Sequence, residues 1–137
     1  NDLERMERVI PLFINKINKK ETIIVYGKNK VLDFTYIDDC VNGIYSGIEK
    51  LISGKVKNET INLAYGEGHK LTELITYIEN NLNKKAKIKF EPSKIGEVNY
   101  YIADISKARE LLGYNPKIFL REGIKKTIAW WRERGEL

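Results

Sequence analysis

The chain has 137 residues, 42% hydrophobic and 31% charged, with a formal net charge of +5. That length suits one domain, and the composition excludes a disordered tail. No apolar run approaches the ~20 residues needed to span a bilayer, so no membrane role is expected.

Pro11 suits the first turn of a helix, and Ile10, Phe13, Ile14 and Ile17 follow at helical spacing, with an end near Asn18 to Lys20. The β-branched and aromatic run Thr22 to Tyr26 predicts a strand, Gly27 to Lys30 a turn, and Val31 to Ile37 a second strand, together a hairpin. Asp38 or Asp39 is then placed to cap a helix whose apolar stripe is Val41, Ile44, Ile48 and Leu51. Ser53 to Asn58 is a polar loop, and Thr60 to Tyr65 is a strand ending at Gly66-Glu67-Gly68. Leu71, Leu74, Ile75, Ile78 and Leu82 mark the next helix, Lys87 to Phe90 a short strand, and Pro92 to Asn99 a loop. Ile105 to Leu112 reads as a helix closed by Gly113 in a left-handed cap. After the Asn115-Pro116 break, Leu120 to about Arg134 forms the last helix, with Ile124, Ile128 and Trp131 inward. Strands and helices mix without regular βαβ alternation.

The basic residues alternate with Glu and Asp and never form a block of five, so a solvated exterior is expected and nucleic acid is not an expected partner. The single cysteine, Cys40, excludes an internal disulfide and suits a reducing compartment, hence the cytoplasm. The first residue is Asn1 rather than Met, which points to a segment upstream.

Two motifs mimic catalytic machinery. Tyr26-Gly-Lys-Asn-Lys30 has Tyr-x-x-x-Lys spacing, which works when both side chains share a helix face. Here it straddles a turn. Gly66-Glu-Gly68-His-Lys-Leu71 resembles the dinucleotide fingerprint, but Leu71 stands where a third glycine would let helix and strand close up. A tight strand-to-helix turn is the expected use, with His69 as an exposed loop histidine. One His and one Cys support neither a zinc site nor a nucleophilic triad.

Several runs in one order resemble the extended short-chain dehydrogenase family, which includes UDP-sugar 4-epimerases and nucleotide-sugar dehydratases. They are Val9-Ile-Pro-Leu-Phe-Ile14, Ile23-Ile-Val-Tyr-Gly27, Leu32-Asp-Phe-Thr-Tyr-Ile-Asp-Asp39 and Ile61-Asn-Leu-Ala-Tyr-Gly66. They continue with Lys94-Ile-Gly-Glu-Val98, Ala103-Asp-Ile-Ser-Lys107, Leu111-Leu-Gly-Tyr-Asn-Pro116 and Trp130-Trp131. The resemblance implies a mixed α/β fold: one C-terminal substrate-binding domain over 1–137, with Thr60 to Tyr65 and the following helix at the edge of a Rossmann sheet. It implies that NAD and the catalytic Tyr-x-x-x-Lys belong to an N-terminal Rossmann domain outside this chain. The chain alone would then be inactive and the parent protein a homodimer.

The implied reaction of the parent is transient oxidation at sugar C4, rotation of the keto sugar and hydride return. Alternatives within the resemblance are a 4,6-dehydratase or a decarboxylase. Outside it, the charge alone would also suit a stand-alone, non-catalytic binding module.

Carried over residue by residue, the resemblance implies a UDP-hexose site. Arg8 and Lys94 would meet the diphosphate, Ile24 and Tyr26 the uracil, Glu97 the ribose and Tyr101 the sugar. Three positions depart from the family. Leu32 stands where an arginine commonly grips the diphosphate, and Lys94 replaces a second arginine with a point charge. A lost charge-assisted bond costs roughly 1.5–3 kcal/mol, about tenfold or more in affinity. Lys70 replaces the usual Ser or Thr helix cap, so the cap must come from elsewhere.

Overall fold

The computed structural model describes residues 8–93, 96 and 98–137. Helix α1 (Val9–Asn18) leads into strand β1 (Thr22–Tyr26), then β2 (Val31–Asp33) and helix α2 (Ile37–Ile52). Strand β3 (Gly68–Lys70), helix α3 (Leu71–Leu82), β4 (Lys87–Glu91), β5 (Tyr100–Tyr101), α4 (Ser106–Leu112) and α5 (Leu120–Glu133) complete the chain.

The main core forms where the clearest apolar stripes meet. Phe13, Ile14 and Ile17 of α1, Ile23 and Val25 of β1, all five expected α3 residues, and Ile124, Ile128 and Trp131 of α5 are buried together. Helix α3 starts without a side-chain oxygen at its N-cap, Lys70. Glu73 supplies the missing half by accepting the Lys70 N–H through Oε2 at 2.9 Å. Gly113 closes α4 at φ +68°, as expected.

The expected hairpin does not form. β1 pairs in parallel with β4, whereas β2 lies between β3, antiparallel, and β5, parallel. Gly27 explains the parting: at φ +77° it turns the chain out of β1, and its N–H goes to the Glu91 carbonyl. β2 also stops at Asp33 rather than Ile37. Beyond it side chains replace ladder bonds: Asp33 Oδ2 accepts from Gly66 N–H (2.9 Å) and Ala103 N–H (3.3 Å), and Thr35 Oγ1 accepts from Tyr65 N–H (3.0 Å).

Helix α2 departs furthest from expectation. Its N-cap is Tyr36, and both Asp38 and Asp39 fall inside the first turn. Its buried residues are Asp39 and Gly43, not the apolar stripe. The helix approaches through its smallest position: a Cβ on Gly43 would lie 2.8 Å from Leu63 and 2.9 Å from Tyr114. Leu63 and Tyr114 belong to a second, smaller apolar cluster built on α4. The expected strand at Thr60 to Tyr65 is absent, and β3 forms just after it instead.

Candidate functional site

The two small sheets meet at one rim through the Gly27 turn. Lys30 N–H donates to the Gly27 carbonyl, and Val31 N–H donates to the Asn99 carbonyl. Ser93 and Asn99 are bonded to each other at 2.7 Å across the loop that joins β4 to β5. A Cβ at Gly27 would come within 3.1 Å of Asn99 Oδ1 and closer still to Ser93 Oγ. The end of β1, Ser93 and the start of β5 are thereby held side by side. We expect Gly27→Ala to cost about 1–2 kcal/mol, because alanine is strained at this φ. Thermal unfolding of the chain will show it as a lowered midpoint.

The rim is aromatic and basic. Tyr26 is half-buried at the end of β1, opposite Glu91. Ile24 points outward from the same strand, 40% exposed. Lys28 Nζ sits 5.7 Å from the Phe90 ring centroid. Tyr101 is exposed on β5, across from Leu32 on β2. Arg8 is exposed at the N-cap of α1, where its carbonyl accepts the Leu12 N–H. The expected contacts at Lys94 and Glu97 lie outside the described residues.

Leu32 packs against the main core rather than standing free. The position has become a packing residue, so the diphosphate grip implied for it would have to come from other side chains. Its other neighbour across the sheet is His69. His69 is no exposed loop residue: it lies in β3 with its side chain 14% exposed, because Gly68–Lys70 adds to β2. Its Nδ1 lies 3.7 Å from Glu73 Oε2, and its Nε2 is buried without a partner.

The glycines of the apparent fingerprint serve packing. Gly68 leaves room for Ile102 and Val31, each 2.5 Å from where a Cβ would sit, and Gly66 leaves room for Ile105 at 2.8 Å. Leu71 is buried in the main core. A pyrophosphate has no cradle there, so these residues do not fit a dinucleotide. Tyr26 and Lys30 likewise sit on a strand and its following turn, not on one helix face. Among the described residues no group of three His, Cys, Asp or Glu could hold a metal ion. No helix among them is long and apolar enough to cross a membrane.

Two carboxylates organise the framework behind the rim, through partners that the sequence does not show. Asp33 ties β2 to Gly66 and to Ala103, two residues past Tyr101. Asp39, 4% exposed, accepts the N–H groups of Lys117 (3.0 Å) and Ile118 (2.8 Å) and so anchors α2 to the entry of α5. Tyr114 is buried near both, and desolvation, then Asp39, Cys40 and Asp33, push its hydroxyl pKa up to about 12. Their signal in the sequence was acidic residues inside the otherwise apolar and aromatic run from Val31 to Ile37 and at its end.

The model of the GDP-mannose 4,6 dehydratase family matches residues 2–127. A UDP-glucuronate 4-epimerase of Thermodesulfobacterium geofontis is 35% identical over 127 residues, covering 91% of this chain and 38% of that protein. The crystal structure of UDP-glucose 4-epimerase from Thermotoga maritima with UDP-glucose superposes with a TM-score of 0.83 at 28% identity, over 94% of this chain and 40% of that one. UDP-glucuronic acid 4-epimerase from Bacillus cereus, in complex with UDP-glucuronic acid and NAD, gives 0.81 at 28% identity, over 93% and 40%. The chain spans 34–39% of the length of the first curated relatives it matches.

Proposed function

We propose, from a chain that belongs to the GDP-mannose 4,6 dehydratase family and so to the NAD-dependent nucleotide-sugar epimerases and dehydratases, that residues 1–137 are the nucleotide-sugar-binding part of a longer sugar epimerase. The type is that of UDP-glucose/UDP-galactose 4-epimerases, acting in the cytoplasm as a homodimer. The observation that carries the reading is the likeness, over 94% of the chain, to an epimerase holding UDP-glucose.

The rim supplies chemistry suited to that ligand. Tyr26 offers a ring face to a base, and Ile24 flanks it on β1. Arg8 and Lys94 bring positive charge to a diphosphate, Glu97 accepts ribose hydroxyls, and Tyr101 faces the sugar. NAD and the groups that remove hydrogen from the sugar belong to the rest of the parent. What these residues contribute is binding energy away from the reacting carbon, which orients the nucleotide and leaves the sugar free to turn.

Calorimetry of the full-length parent with UDP-glucose tests this. Tyr26→Ala will weaken binding about tenfold, the worth of one stacked base. Unchanged affinity would remove Tyr26, and with it the base site, from the proposal. The 137-residue chain alone will bind UDP weakly and turn nothing over. A second reading, a 4,6-dehydratase, draws on the description of the matching family itself. Release of a 4-keto-6-deoxy sugar by the full-length parent decides for it.

A further inference from the structure

A groove of about 580 Å³ runs between helices α3 and α5 and shares no residue with the rim. Tyr77 lines it from α3, with Asn80 and Asn81 three and four residues on and so on the same face. Arg121, Glu122 and Lys125 line it from α5, beside Phe119, the N-cap of that helix.

The α5 wall is cationic where a helix start favours anions. Arg121 and Lys125 are exposed, one turn apart on one face, and among the described residues neither has a hydrogen-bond or ion-pair partner. Like charges at that spacing repel, and a cation in the first turn of α5 opposes the helix dipole. The helix also starts without a side-chain cap bond. Glu122 does not neutralise the pair: its carboxylate lies 3.8 Å from Lys126 Nζ, which sits over the Tyr36 ring. An anion between Arg121 and Lys125 relieves both penalties.

The rest of the groove suits the body of such an anion. Asn81 donates its side-chain N–H to the Tyr77 carbonyl at 2.8 Å, which leaves its Oδ1 to accept, and Asn80 is exposed beside it. Phe119 is 60% exposed, and Tyr65 steadies its ring at a centroid distance of 5.6 Å. The volume is that of a small-molecule site.

We propose that the α3–α5 groove binds a nucleoside monophosphate. The phosphate sits between Arg121 and Lys125, ribose hydroxyls donate to the Asn80 and Asn81 amide oxygens, and the base stacks on Phe119. The site does not depend on the nucleotide-sugar reading of the rim.

AMP titrated into the nitrogen-15-labelled 137-residue chain will shift the amide signals of 77–81 and 119–125 along a saturating curve. Replacing Arg121 and Lys125 together with alanine will weaken that binding at least tenfold, through lost charge-assisted bonds. Lys87→Ala on β4 will leave it unchanged. Inorganic phosphate will shift the same α5 amides but bind about tenfold more weakly than AMP, and Phe119→Ala will erase that difference. All these positions are exposed, and unfolding midpoints check that each variant folds. Absence of shifts at these amides, or unchanged binding by the double variant, overturns the proposal. Phosphate that binds as tightly as AMP also overturns it, by reducing the groove to a bare anion site. Shifts confined to 24–28 and 99–101 overturn it by giving AMP to the rim.

Discussion

Replacing Asp39 with alanine will lower the unfolding free energy by about 3 kcal/mol. The carboxylate is buried and accepts two backbone N–H groups, from Lys117 and Ile118. Bonds to a charged acceptor are worth about 1.5–3 kcal/mol each, and partial solvation of the two freed N–H groups offsets some of the loss. Asp39→Asn keeps one acceptor oxygen and should lose about half as much. The neighbouring Asp38 is exposed in the first turn of the same helix, so Asp38→Ala will cost no more than about 0.3–1 kcal/mol through the helix dipole. Urea denaturation of the three variants measures the differences. Equal losses at 38 and 39 would show that Asp39 does not anchor the entry of α5.

Ile78→Ala will destabilise the chain by about 3–4 kcal/mol, whereas Ile48→Ala will change it by less than about 1 kcal/mol. Both isoleucines sit on apolar stripes of equal quality in the sequence. Ile78 is fully buried in the main core on α3, the helix that packs against α1 and α5, so truncation loses its transfer energy and leaves a cavity. Ile48 is 50% exposed, and alanine there leaves no void within this chain. Chemical denaturation of the 137-residue chain checks the pair.

The candidate site divides in the same way. Tyr26 and Tyr101 came from the family resemblance, and the structure sets them on β1 and β5, whose neighbouring ends are tied through Gly27, Ser93 and Asn99. The framework behind them was not legible. Asp33 and Asp39 act on backbone groups 33 to 79 residues away in sequence. His69 looked like a loop residue until β3 formed against β2.

Local pattern alone determined α1, α3, α4, α5 and β1. Each carries its own period, cap or β-branched run in the local sequence. The mixed α/β class and the family resemblance also rested on the sequence. Only the tertiary structure decided which strands pair, where β2 ends and what α2 buries. Strand pairing links residues far apart in the chain: Ile23 meets Ile88, and Leu32 meets Tyr101. Hydrophobic periodicity shows that a helix has an apolar face, but whether that face finds a partner depends on the other surfaces present. For α2 the described residues leave most of that face uncovered.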